Sequence, residues 1–179
     1  DKVLGQWGTV DILVKNAGAT WGAPAEDHPL EAWQKVINLN LTAMFVLSQL
    51  VGKKVMIPRG AGKIINIASI AGYSGTDPHF MPTIAYNTSK AGVINFTRSL
   101  ASEWARHGIH VNGIAPGVFP SKMSKGMIDR AEQYIIDHTP MRRMGTDQDL
   151  KGVTALLASK ASEFITGVTI PVDGGFSAL

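Results

Sequence analysis

Tyr86 and Lys90 stand four residues apart in the run Tyr86-Asn87-Thr88-Ser89-Lys90. On a helix that interval puts both side chains on one face. An ammonium held near a phenol favours the phenolate and draws the tyrosine pKa down from about 10 toward neutrality. A tyrosine tuned in this way can give a proton to a carbonyl oxygen or take one from an alcohol. The pair alone is a weak pattern, since such a spacing arises in many helices that do no chemistry. Its weight comes from Ser69 upstream, Asn40 further back and the elements that must bring them together.

Those elements follow from hydrophobic patterning. Val10 to Val14 is a short apolar run ending in Asn16-Ala17-Gly18, which reads as a buried strand and a tight turn. Helical spacing runs from Glu31 to about Met56, with apolar residues on more than one face, and Pro58, Gly60 and Gly62 are expected to end it. Lys63 to Ala68 is a second strand with Ser69 at its carboxyl end. A second long helix spans about Ile84 to Arg106, stopped by Gly108. Ile109 to Ile114 is the third strand and Gly167 to Val172 the last, where Pro171 argues for a sheet edge. Residues 1–8 read as the end of a helix, 118–146 as short helices rich in methionine, and Asp147 to Ala158 as a helix with an acidic first turn. Strands alternating with helices predict a parallel sheet with crossover helices, an α/β class.

Composition bounds the function. A chain of 179 residues, 45% hydrophobic and 17% charged, suits one compact domain. No cysteine is present, so disulfides and thiolate metal sites are excluded, and a reducing, cytoplasmic setting is compatible. The net charge of +3 comes from dispersed basic residues, which argues against a nucleic-acid partner. The five histidines show no metal-ligand spacing, and no metal is expected. No uninterrupted apolar run of about 18 residues occurs, so no membrane association is expected.

Three polar or glycine-bearing features each follow a strand: Asn16-Ala17-Gly18, Ser69, and Pro116-Gly117. In an open parallel sheet, ligands bind outside the carboxyl ends of the strands. Each feature taken singly is an ordinary turn; their shared position points to one crevice.

With these residues in place, the chain resembles a short-chain dehydrogenase/reductase. The matching pieces are Asp11-Ile12-Leu13-Val14-Lys15-Asn16-Ala17-Gly18, Asn38-Leu39-Asn40, Ile65-Asn66-Ile67-Ala68-Ser69, the Tyr86-to-Lys90 run, Val111-Asn112-Gly113-Ile114-Ala115-Pro116-Gly117 and Val172-Asp173-Gly174-Gly175. They lie in the family's order across nearly the whole chain. The resemblance implies a Rossmann-like, doubly wound sheet represented by its C-terminal strand-helix units, about four strands. It also implies hydride transfer between NAD or NADP and a carbonyl or secondary alcohol. On that resemblance Tyr86 would be the general acid/base, Lys90 would lower its pKa and bind the nicotinamide ribose, and Ser69 would hold the substrate oxygen. Asn40 would hold a water linking Lys90 to solvent. Asn16, Ala17 and Gly18 would wall the cofactor pocket, Pro116, Gly117 and Val118 would lie against the nicotinamide, and Ser121 would contact its carboxamide. Within the family the chain is most similar to 3-oxoacyl-carrier-protein reductases and gluconate-type dehydrogenases. The partners implied are a small carbonyl or alcohol substrate and further copies of the chain, as a homodimer or homotetramer through helices 31–56 and 84–106.

The sequence also departs from the pattern. The family's glycine-rich phosphate turn is absent, and the resemblance implies that roughly 70–80 leading residues and three strands are missing from a single Rossmann-like domain at 1–179. The 10–14 strand is then expected to form an open sheet edge. Lys15 stands where the family frequently has asparagine. The interval from Ser69 to Tyr86 is longer than usual, and the added loop, Gly75 to Thr83, is expected to line the substrate entrance. The methionine-bearing segment 118–146 corresponds to the family's substrate lid. Two other readings stand beside the enzyme: a truncated, non-catalytic relative acting as a structural or interaction subunit, and a module that senses the cofactor without turning it over.

Overall fold

The computed structural model describes residues 2–178. Four parallel strands form one sheet in the order β1 (Ile12–Lys15), β2 (Gly62–Ile67), β3 (Ile109–Pro116), β4 (Thr169–Val172). The helices are α1 (Lys2–Trp7), α2 (Leu30–Arg59), α3 (Ile84–Trp104), α4 (Lys125–His138) and α5 (Asp147–Ala158). Register aligns Lys15 with Asn66, Ile67 with Ile114 and Pro116 with Val172, so all four strands end along one edge.

The period of two along β2 divides the core. Ile64 joins Met56, Leu100, Ile109 and Val111 beneath α2 and α3, and Ile65 joins Ile114 and Leu157 beneath α5. A strand covered on both faces is apolar throughout, as the sequence of β2 requires. β1 differs. Leu13 packs into the α2/α3 side, but Ile12 and Val14 are 42% and 46% exposed on the other face. The expected open edge is present, formed by Ile12–Lys15 rather than 10–14, with β4 and its Pro171 at the opposite edge.

Helix α2 owes its shape to a spacing of four. Its buried residues are Ala32, Val36, Asn40, Met44, Ser48, Gly52 and Met56. Four residues overshoot one α-helical turn by about 40°, so this stripe would wind off the sheet on a straight helix. Two π-helical turns, Asn38–Thr42 and Gly52–Met56, absorb the overshoot and keep the stripe facing inward. The helix runs past the expected end, through Pro58, to Gly60, whose left-handed backbone (φ 68°) terminates it. α2 is also the described helix long and apolar enough to cross a membrane, with mean hydropathy 1.2; here it lies along the sheet with Asn40 and Ser48 buried. Leu39, Phe45, Val46, Leu47 and Leu50 remain exposed on its outer side.

Candidate active site

Ser69, directly after β2, caps the short turn Ile70–Gly72 by accepting the Ala71 N–H at 3.2 Å. Tyr86 stands in the first turn of α3, with its phenol near enough to Ser69 for that hydroxyl to favour the ionised form. One turn along, Lys90 is buried. Its ammonium donates to the Ile67 carbonyl at 2.8 Å and lies 5.5 Å from the centroid of the Tyr86 ring. The β2 terminus and the α3 start therefore bring the three expected residues together. Gly72 is required for this: a Cβ there would lie 2.6 Å from the Lys90 backbone carbonyl carbon. No side chain fits between that turn and the helix.

The electrostatics correct one expectation. The Tyr86 pKa is raised above 10, because burial outweighs the opposing effect of Ser69. Lys90 does not pull it down: its ammonium is spent on the Ile67 carbonyl, and burial pushes its own pKa down to about 8. Tyr86 is thus a protonated phenol at neutral pH, the form an acid needs.

Asn40 lies in the first π-helical turn of α2, fully buried. Its Oδ1 accepts the Ala19 N–H at 2.8 Å, and its Nδ2 donates to the Ala19 carbonyl and the Ser89 hydroxyl, both at 2.9 Å. Both amide hydrogens are used, so the side chain is a brace between the segment after β1 and the helix that carries Tyr86 and Lys90. π-Helical turns inside α-helices frequently mark functional sites. Gly18 lies in the same corner: a Cβ on it would sit 3.4 Å from Asn40 Oδ1 and 3.8 Å from Lys90 Nζ. Asn16 and Ala17 are exposed beside it.

Pro116 ends β3, and Gly117 donates its N–H to Val172 O at 3.0 Å, placing both at the same sheet edge. The Val118 carbonyl accepts Gly145 N–H at 3.0 Å. Ser121 stands apart, exposed, with its hydroxyl 2.9 Å from that of Ser124; no described contact joins it to Tyr86 or Lys90.

The loop before α3 and the segment 118–146 meet over the site. Phe80 stacks on Tyr134 with centroids 4.2 Å apart, and Tyr134 on His138 at 3.8 Å. Ala23 N–H donates to Pro82 O at 2.9 Å, tying in the loop after β1. Segment 118–146 contains the helical stretch α4, which the non-helical Ala131 (φ −139°) divides into two short helices, as expected.

Two residues escaped the sequence reading. Ser89 joins Asn40 to the Tyr86 carbonyl, which its hydroxyl bonds at 2.7 Å. Asn87 joins α3 to the added loop, accepting from Thr83 and donating to Thr76 at 2.9 and 3.1 Å. Both are small polar side chains of helix interiors, where sequence offers no signal beyond polarity. Among the described residues no group of three His, Asp or Glu could hold a metal.

A family model described as enoyl-(acyl carrier protein) reductase matches residues 1–177. The 2-dehydro-3-deoxy-D-gluconate 5-dehydrogenase of Bacillus subtilis is 43% identical over 93% of this chain and 65% of its own. The 5-keto-D-gluconate 5-reductase of Escherichia coli is 42% identical over 94% of this chain and 65% of its own. The chain thus spans about two thirds of the length of these curated relatives. A gluconate 5-dehydrogenase from Burkholderia cenocepacia, solved with NADP and tartrate, superposes with TM-score 0.94 at 35% identity, covering 100% of this chain and 69% of that one.

Proposed function

The chain belongs to the short-chain dehydrogenase/reductase family, and on that premise we propose that it is an NADP-dependent oxidoreductase of sugar acids. The observation that carries this reading is the buried Lys90 ammonium 5.5 Å from the Tyr86 ring centroid, with Ser69 acting on the phenol, at the carboxyl edge of a parallel sheet. Relatives named for gluconate and its keto acids support the substrate class, and neighbours solved with NADP support the cofactor.

The residues present fit the nicotinamide end of such a cofactor. Gly18 carries no side chain of its own, and the space beside it is bounded by Asn40 Oδ1 and by the buried Lys90 ammonium, which would reach a ribose hydroxyl. Asn16, Ala17 and Gly18 would wall that corner, and Pro116, Gly117 and Val118 would close its far side. When bound, the cofactor supplies or accepts the hydride at the substrate carbon. Ser69 holds the substrate oxygen, and in reduction the Tyr86 phenol gives that oxygen its proton. In oxidation the ionised Tyr86 phenolate takes the alcohol proton and returns to the phenol. Asn40 keeps the Gly18 corner in register with Lys90, and a relay water at that corner is part of the proposal.

Residues 1–179 are read as one Rossmann-like domain, and the open outer edge of β1 is where a continuing sheet would add strands. The exposed apolar residues of α2 favour a homodimer or homotetramer through α2 and α3. The cysteine-free composition favours a cytoplasmic setting.

The test is nicotinamide absorbance with NADPH and a 5-keto sugar acid, and with NADP and the corresponding alcohol. Substrate-dependent oxidation of NADPH is expected, falling by at least about a hundredfold in Tyr86→Phe with nucleotide affinity kept. Binding without turnover in the wild type would instead favour a sensing module. Absence of binding would favour a structural subunit.

A further inference from the structure

Lys15 takes no part in the chemistry above, yet it is only 5% exposed. It is the last residue of β1, immediately before Asn16, Ala17 and Gly18. Its ammonium donates to the Met44 carbonyl at 3.0 Å, bonds the Ser48 hydroxyl, and lies 4.9 Å from the centroid of the Phe96 ring. Met44 and Ser48 belong to α2 and Phe96 to α3, so one side chain fastens the end of the strand to both helices. Four residues before Met44, Asn40 grips the backbone of Ala19 by two hydrogen bonds. The segment 16–19 therefore hangs between two attachments on neighbouring turns of α2.

Burying a cation here is costly, since burial pushes its pKa down to about 7. A methionine would fill the same space without desolvating a charge. What lysine adds is a donor that reaches across to a backbone carbonyl of the next layer.

We propose that Lys15 is a positioning residue, forming with Asn40 a two-point clamp that fixes Asn16–Ala19 against Lys90. The inference rests on the nicotinamide reading of the Gly18 corner. A Cβ at Gly18 would be only 3.8 Å from Lys90 Nζ, so a small shift of this segment changes the room available beside the ammonium. Misplacement by about 1 Å at a reacting centre can cost on the order of a hundredfold.

The experiment uses the full-length protein carrying Lys15→Met, with two readouts. Amide hydrogen exchange follows the Ala19 N–H, and fluorescence titration gives the NADPH dissociation constant. Ala19 is expected to exchange at least about tenfold faster while Ile64 and Ile65 keep wild-type rates. The dissociation constant is expected to rise about tenfold, with kcat at saturating cofactor within about threefold of wild type. Ser48→Ala, which removes one anchor and leaves Lys15 in place, should move both readouts the same way by less, and Ser48→Thr should restore them. Wild-type Ala19 exchange and NADPH affinity in folded Lys15→Met or Ser48→Ala protein would overturn the clamp and leave the activity reading intact. Wild-type protein that binds no NADPH would overturn both.

Discussion

Two lysines are buried in this molecule, and their surroundings are alike in outline. Lys90 and Lys15 each lie near an aromatic ring, at 5.5 Å from Tyr86 and 4.9 Å from Phe96. Each donates to a backbone carbonyl, that of Ile67 or of Met44, and burial lowers each pKa, to about 8 and about 7. The difference lies in what the ring can do and what the ammonium faces. Tyr86 carries a hydroxyl on which Ser69 acts, and Lys90 borders the corner at Gly18 beside Asn40. Phe96 carries no hydroxyl, and Lys15 is enclosed by α2 and α3. A buried amine is therefore no sign of catalysis by itself; a proton-bearing partner and an approach for substrate make the distinction.

The largest expected break in this comparison is Lys90→Met. It should lower turnover by roughly a hundredfold or more, because on the proposed reading the residue that lies beside the tyrosine would also hold the cofactor ribose. Steady-state kinetics at saturating substrate would measure it. Next in size, Gly72→Ala should disturb the contact between the Ser69 turn and the Lys90 backbone while leaving Lys15 in place. Its Cβ would meet the Lys90 carbonyl carbon at 2.6 Å and the Ala91 nitrogen at 2.7 Å, backbone that cannot step aside. Overpacking of this kind costs about 1–3 kcal/mol, readable as a lower urea midpoint together with reduced turnover.

A pH effect sharpens the contrast further. Lys15 has a folded pKa of about 7 against an unfolded value of 10.5. Across that window the unfolded chain binds a proton that the folded chain does not, so stability rises with pH. Lys90 acts in the same direction from about 8 upward, over a narrower span. Urea midpoints should therefore rise from neutral to alkaline pH in the wild type, and rise less in Lys15→Met than in Lys90→Met. The smallest expected effect is on direction of reaction. With Tyr86 held above 10 by burial, reduction should be insensitive to pH near neutrality and oxidation should speed up with rising pH. Initial rates in both directions would show it.

How much of this was legible in the sequence depended on the range of the signal. The four strands, their parallel sheet and the edge at Pro171 are legible as apolar runs and a proline, and Ser69, Tyr86 and Lys90 as motif residues, whereas the strand order is not. The course of α2 was not read, although its signal was present. Small or polar residues at multiples of four, Ala32, Asn40, Ser48 and Gly52, with Val36 and Met44 between them, fit neither an α-helical stripe nor an all-round apolar helix. Only alternating α and π turns satisfy that spacing. The direction of the Tyr86 shift was missed because proximity of a cation is visible in a motif, whereas desolvation is a property of everything packed around it. Lys15 was noticed as a departure, but its partners lie 29 and 33 residues away, and no local pattern reveals them. Ser89 is silent for the same reason, its partner Asn40 lying 49 residues away, whereas Asn87 bonds residues only 4 and 11 positions back.

The most direct measurement places the two lysines side by side. Turnover of NADPH with a 5-keto sugar acid is compared in folded Lys90→Met and Lys15→Met protein at saturating cofactor. The expected result is a loss of at least about a hundredfold for Lys90→Met and a change within about threefold for Lys15→Met. Equal losses in the two variants, or a greater loss in Lys15→Met, would contradict the division between a lysine that serves the chemistry and one that holds the wall.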